Sequence, residues 1–265
     1  MKFLIKYILP EILLDLLRII RRFKLYANDR KTISSNARMK NSAIGKSCIF
    51  LGNGPSLEID RISKINQYDV FVCNGFFQVK GSQSVDVKYY LNFDVSNEWL
   101  TEVENYLNQK KPEYFVFSLH NKQKIEKSKF HEYFPRQNTI YLHGILETKL
   151  DRYFCQIDRP VFNIKNVIIG FMLLSGYNRY ENAFLYGVDF SFLTVPRKAE
   201  IRHAYDNELG HPNVTAISSY GKMCNSTSVV LRYIEMLNRL TKTNFYNCTP
   251  NSYIDVLEFF VETID

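Results

Sequence analysis

The sequence predicts an α/β protein built on a Rossmann-like, mostly parallel sheet. Three observations carry that expectation. Short apolar runs of strand length recur at 48–51, 69–73, 87–92, 114–119, 183–189 and 245–248, and segments of helical length separate the later ones. The first run stops abruptly at Gly52-Asn53-Gly54-Pro55, where two glycines permit a close backbone approach that a Cβ would block. Several runs also end on polar residues, namely Asn74, Asn92 and Asp189. In open parallel sheets the ligand crevice lies along the carboxyl ends of the strands.

Composition narrows the class further. At 46% hydrophobic and 15% aromatic, the chain buries a sizeable core. Five cysteines without a C-x-x-C pair argue against a disulfide framework and a structural zinc site, and fit a reducing, cytoplasmic setting. The net charge of +7 is uneven: residues 1–47 hold 11 Lys/Arg against 3 Asp/Glu, and residues 48–265 hold 23 against 24. A near-neutral body with a basic arm does not suit nucleic-acid binding by the whole protein.

Along the chain, residues 1–26 repeat Ile and Leu at helical spacing, interrupted by Lys, Arg, Glu11 and Asp15. Those charges make a transmembrane span costly, and there is no signal-peptide pattern. The expectation is an amphipathic helix lying peripherally on an anionic inner leaflet, or else docked on its own domain or a partner subunit. Residues 27–46 are polar and basic and read as a linker, so the catalytic domain is taken as 47–265. Within it, 57–66 reads as a short helix led by Ser56 as its cap, 97–108 as a helix capped by Asn97, and 120–160 as a lid-like insert. Further on, 167–175 reads as a buried helix ended by Gly176, 218–241 as a long helix, and 253–261 as a closing helix. Strand, glycine turn and helix N-terminus together would suit a nucleotide phosphate; an ordinary strand-to-helix turn looks the same.

The motifs, in chain order, are G-N-G-P-S-L at Gly52 to Leu57, C-N-G-F-F at Cys73 to Phe77, Y-F-P at Tyr133 to Pro135, L-Y-G-V-D-F at Leu185 to Phe190, G-H at Gly210-His211 and C-T-P-N-S at Cys248 to Ser252. In this set the chain resembles the bacterial sialyltransferases of glycosyltransferase family 42. The resemblance implies a GT-A-variant fold and an inverting, metal-independent transfer. A sialic-acid-like ulosonic acid would pass from its CMP ester to a hydroxyl of a cell-surface glycan such as lipopolysaccharide, lipooligosaccharide or capsule. It makes His211, in its Gly210-His211 pair, the base that takes the acceptor proton, a role a near-neutral imidazole suits. It places Gly52, Asn53, Gly54, Ser56, Asn74, Asn92, Asp189, Pro250, Asn251 and Ser252 around the CMP moiety. Each asparagine serves equally well as a turn or cap residue.

The chain departs from the family where a tyrosine pair should follow the G-x-D-F strand; Ser191 and Arg197 stand there instead. Glu208 replaces a tyrosine before the base, and Lys165 alone keeps the basic entry to the buried helix. Arg197, Arg202 or Lys165 would then offset charge on the departing phosphate. The departures leave the donor open to CMP-Kdo. No D-x-D pair anchors a metal–nucleotide diphosphate, and no cofactor beyond the sugar donor is expected. A pterin diphosphokinase-like phosphotransferase and a non-catalytic polysaccharide-assembly scaffold are the other classes, and a homo-oligomer is compatible with each.

Overall fold

The computed structural model describes residues 11–62, 64–144, 151–153, 155–164, 166–189, 217–250 and 252–260. One sheet of eight strands organises them: β1 (Ser47–Leu51), β2 (Asp69–Cys73), β3 (Val87–Asn92), β4 (Tyr114–Ser118), β5 (Thr139–Leu142), β6 (Asn182–Tyr186), β7 (Asn244–Asn247) and β8 (Glu258–Phe259). Their spatial order is β5-β4-β3-β2-β1-β6-β7-β8, and every pairing is parallel. The order runs outward from β1 in both directions, so it reverses between β1 and β6. Leu51, the last residue of β1, sits opposite Val72 on one side and Tyr186 on the other. The expected α/β, mostly parallel, Rossmann-like arrangement is therefore present.

Both faces of the sheet are covered, which is why its strands read as continuous apolar runs rather than alternating ones. Successive residues point to opposite faces. Phe50, Phe71 and Tyr89 pack with α4 (Val167–Asn178) and α5 (Ile217–Leu240). Ile49, Val70 and Tyr90 pack on the other side with α2 (Asn97–Gln109) and Ile125 of α3 (Lys122–Lys127). Phe71 stacks on Tyr89 at 4.2 Å between ring centroids and meets Phe171 of α4 edge-on at 5.0 Å. Helix α4 is apolar all round because it is buried all round. Asn166 starts it by accepting from the Ile168 amide at 3.0 Å. It continues past Gly176 to Asn178, where Arg179 adopts a left-handed φ of 61°.

Five local expectations are corrected. Residues 57–66 form no α-helix: two short 3-10 turns, Ile59–Arg61 and Ile65–Gln67, occupy the stretch. Ile59, Ile62 and Ile65 recur every third residue, which suits three residues per turn. The cap of α2 is Ser96, whose Oγ accepts from the Trp99 amide at 3.0 Å, one residue before Asn97. The stretch 253–261 does not close as a helix; it turns and pairs as β8 through Glu258–Phe259, and Phe260 packs 5.2 Å from Phe184 and 5.6 Å from Tyr246. Aromatic residues there favour the pleated surface.

The lid-like insert is in large part body. Helix α3 and strand β5 fall within it, and Phe130, Phe134, Ile140 and Leu142 are buried; residues 145–150 lie outside the described residues. Finally, 27–46 is not a linker. Helix α1 (Glu11–Ser34) runs into it and continues as a 3-10 turn, Ser35–Met39. Ile33, Asn36, Met39 and Ala43 are buried. Lys122 pairs with Asp29 of α1 at 2.8 Å. The Asn36 amide nitrogen donates to the carbonyls of Tyr141 and Ile157 at 2.9 and 2.8 Å, and Arg38 donates to that of Thr139 at 3.2 Å. Polar residues that suggest solvent are spent on the edge strand instead.

The integrated arm makes a direct prediction. Asn36→Ala removes two buried hydrogen bonds and leaves two carbonyls without that donor, so urea unfolding should show a loss of about 2–4 kcal/mol. A true linker would lose nothing.

Candidate functional site

The site is the carboxyl edge of the sheet at the β1/β6 reversal, where open α/β sheets form a crevice. Strand pairing continues past the strands themselves. The Gly52 amide donates to the Tyr186 carbonyl at 2.8 Å, and the Gly54 amide to the Gly187 carbonyl at 2.8 Å. The two turns approach so closely that only glycine fits. A Cβ on Gly52 would stand 2.3 Å from the Gly187 oxygen, and one on Gly54 would stand 1.7 Å from Asp189 Oδ2. Gly187 itself holds a φ of +64°.

Asp189 closes the junction. Its Oδ2 accepts from the Ser56 hydroxyl at 2.8 Å and from the Ser56 amide at 3.4 Å. Ser56 thus clamps β1 to β6 instead of capping a helix. No α-helix follows the glycine turn, so the expected helix N-terminus is not part of this site.

Asn53 is buried between the strands. Its amide nitrogen donates to the Cys73 carbonyl at 3.1 Å, tying the end of β1 to β2, while its Oδ1 is buried and accepts no hydrogen bond from the described residues. An orphaned acceptor of this kind costs free energy until a donor reaches it. Asn74, next along the edge, sits at a left-handed φ of 46°. Its carbonyl accepts from the Trp99 indole at 3.0 Å and from the Tyr90 hydroxyl, which fixes the strained turn. Its side-chain amide makes no hydrogen bond with the described residues, and the residue is only half-buried.

Asn92 is different. It is buried, and its Oδ1 accepts from the Asp94 amide at 2.8 Å, closing a turn at the end of β3. On the far side, the Ser252 hydroxyl donates to the Val188 carbonyl at 2.6 Å, and the Tyr253 amide donates to that of Asp189 at 3.2 Å. Pro250 is exposed at the turn after β7. The edge therefore reads, strand by strand, Asn92, Asn74, Asn53, Asp189, Ser252. Arg197, Arg202, Gly210 and His211, together with Lys165 and Asn251, lie outside the described residues.

Two contributors were not anticipated. Thr249 is buried with its hydroxyl accepting from the Val188 amide at 3.0 Å and donating to the Leu185 carbonyl at 3.3 Å, which locks the β6 and β7 turns together. Gly187 supplies the carbonyl that holds Gly54. A glycine directly after a strand and two residues before an aspartate is the signal that marks it. Among the described residues no three His, Cys, Asp or Glu side chains group as a metal ligand set. A cleft of about 650 Å³ opens elsewhere, at the β5 margin between α1 and residues 151–159, and includes Tyr26, Arg30, Tyr153 and Arg159 but none of the predicted site residues.

The chain matches no family model, no curated protein and no solved structure.

Beneath Asn53, burial pushes the Cys73 thiol up from 9.0 to about 12, and burial likewise holds Tyr106 at about 12. A raised folded-state value stabilises the fold below the unfolded value and loses that contribution as pH rises toward the folded one. Stability should accordingly fall between pH 9 and about 12. At pH 8 a thiol reagent should leave Cys73 unmodified until the chain unfolds; rapid native labelling there, read by mass spectrometry, would contradict its burial. Gly54→Ala should lower stability by about 1–3 kcal/mol in chemical unfolding, because its methyl displaces Asp189 from Ser56.

Proposed function

We propose that this chain is a glycosyltransferase using a CMP-activated, sialic-acid-like ulosonic acid, with a hydroxyl of a cell-surface glycan as acceptor. The observation that carries the reading is Asn53 Oδ1 at the β1/β6 reversal, buried and without a partner among the described residues. It is an acceptor awaiting a donor, and the cytosine amino group and ribose hydroxyls are donors. Asn74, with its side-chain amide unspent, stands on the next strand. Gly52 and Gly54 let the two turns meet backbone to backbone beside Asn53.

In this reading the resemblance assigns the base, and cations stand in where the chain departs from the family. His211 takes the proton from the acceptor hydroxyl as its oxygen bonds to the anomeric carbon. The bond from that carbon to the phosphate oxygen breaks with inversion, and CMP leaves with the electron pair. Arg197 and Lys165 offset the charge that develops on the phosphate. Asp189 is a positioning residue, because its carboxylate is engaged by Ser56. The resemblance implies no metal.

Calorimetry with CMP and ATP, each with and without Mg²⁺, tests the reading. CMP should bind without Mg²⁺, and Asn53→Ala should weaken it by about tenfold, the size of one hydrogen bond at ~1.4 kcal/mol. Magnesium-dependent ATP binding with none for CMP would overturn the proposal in favour of a phosphotransferase.

A further inference from the structure

Helix α1 has two different halves. Its C-terminal half is held against the domain by buried Ile33, by the Lys122–Asp29 pair and by Tyr26, which stacks on His143 at 6.4 Å. Its N-terminal half carries a bare apolar stripe. Leu13, Leu16, Leu17 and Ile20 are 40%, 46%, 49% and 46% exposed. Their spacing of i, i+3, i+4 and i+7 puts all four on one helix face. Ile19, off this face, is buried. The other exposed large apolar residues do not form such a row: Ile44, Tyr153, Leu240, Tyr253, Phe259 and Phe260 are spread over other elements. A contiguous exposed apolar stripe marks an interaction surface, whereas scattered exposed residues do not.

We infer that this stripe docks on an anionic lipid surface. Charge identifies the occupant. The segment 1–47 that contains the stripe is strongly basic, with 11 Lys/Arg against 3 Asp/Glu, and the rest of the chain is close to neutral. Arg18, Arg21, Arg22 and Lys24 follow or interleave the stripe itself. Each Lys or Arg near an acidic leaflet contributes about 1 kcal/mol of attraction, and buried leucines add an apolar term. A second copy of the helix fits less well. Two such segments repel one another, and four side chains over two turns fall well short of the roughly 800 Å² per partner of a stable interface. Among the described residues no helix is long and apolar enough to cross a membrane, so the contact is superficial.

The helix direction gives the contact a position. Arg38 meets the start of β5 at Thr139, Asn36 meets Tyr141, and Tyr26 meets His143, one residue past the strand. Helix α1 thus runs antiparallel to β5, and at 1.5 Å per residue its stripe lies roughly 9–20 Å beyond Tyr26. That is past the carboxyl edge of the sheet, the edge where the crevice opens. The lipid contact belongs to the crevice end of the molecule. This inference stands independently of the transferase reading.

Co-sedimentation of the full chain tests it, using vesicles of phosphatidylcholine alone or mixed with phosphatidylglycerol. The chain should bind the mixed vesicles and not the neutral ones, and added salt should weaken binding. L16Q/L17Q should lose binding by about a hundredfold or more, because two buried leucines are removed from the lipid contact. Its circular dichroism should be unchanged, because both side chains are already exposed. I44Q, at an exposed apolar site on another element, should bind as the parent does. Absence of binding to the mixed vesicles, equal binding to neutral ones, or full binding by L16Q/L17Q would each overturn the inference. So would a dimer in sedimentation that L16Q/L17Q dissociates while lipid binding persists.

Discussion

The β1/β6 junction is the constraint on which the rest of the crevice depends. Two backbone hydrogen bonds carry the strand pairing into the turns, from Gly52 to Tyr186 and from Gly54 to Gly187. They require the turns to touch backbone to backbone, and the absence of side chains at Gly52, Gly54 and Gly187 is what allows it. Once the turns are joined, Asp189 reaches Ser56 and Ser252 reaches Val188. Asn53 is thereby held below the surface with one end satisfied by Cys73 and the other left open. The geometry around Asn53 Oδ1 is therefore a product of the glycines that flank it and of Gly187 across the junction.

The polar residues along this edge separate into two groups. Asn92, Ser56, Ser252 and Thr249 use their side chains to bind neighbouring backbone or carboxylate groups. Asn53 and Asn74 keep polar atoms that make no hydrogen bond with the described residues, and they follow the ends of the adjacent strands β1 and β2. Rigidity comes from the first group, and the second keeps polar atoms that the described residues do not use. Such a division keeps the binding groups precisely placed, because the backbone that carries them is itself fixed by satisfied hydrogen bonds. Asn74 shows the cost: its left-handed backbone is held by a tryptophan and a tyrosine that bond its carbonyl.

Much of the fold was legible because parallel strands buried on both faces read as unbroken apolar runs. C-I-F-L, D-V-F-V-C and V-K-Y-Y-L-N announce β1, β2 and β3 for that reason. Strand β5 was hidden, since T-I-Y-L is only four residues long and lies in a charged stretch. The segment 27–46 was misread for a related reason: its asparagine and arginine look solvated, yet they bond carbonyls of β5. Within the site, the glycine turn and Asn53 were legible from local chemistry. The sequence could not separate Asn92 from Asn74, because an asparagine whose side chain closes a turn and one whose side chain does not share the same residue type and the same place at a strand end. Only the partner of each side chain distinguishes them.

The 3-10 turn Ser35–Met39 has a consequence beyond local stability. A parallel sheet ends in outer strands whose free carbonyls and amides invite another chain to add a strand. On one side of this sheet Asn36 and Arg38 already occupy carbonyls of Tyr141 and Thr139. On the other side the outermost strand is the two-residue β8, too short to serve as a template. Both margins are thus blunted, one by side chains borrowed from the N-terminal arm and one by brevity. The sheet is in this way protected from growing into fibrils through its own edges.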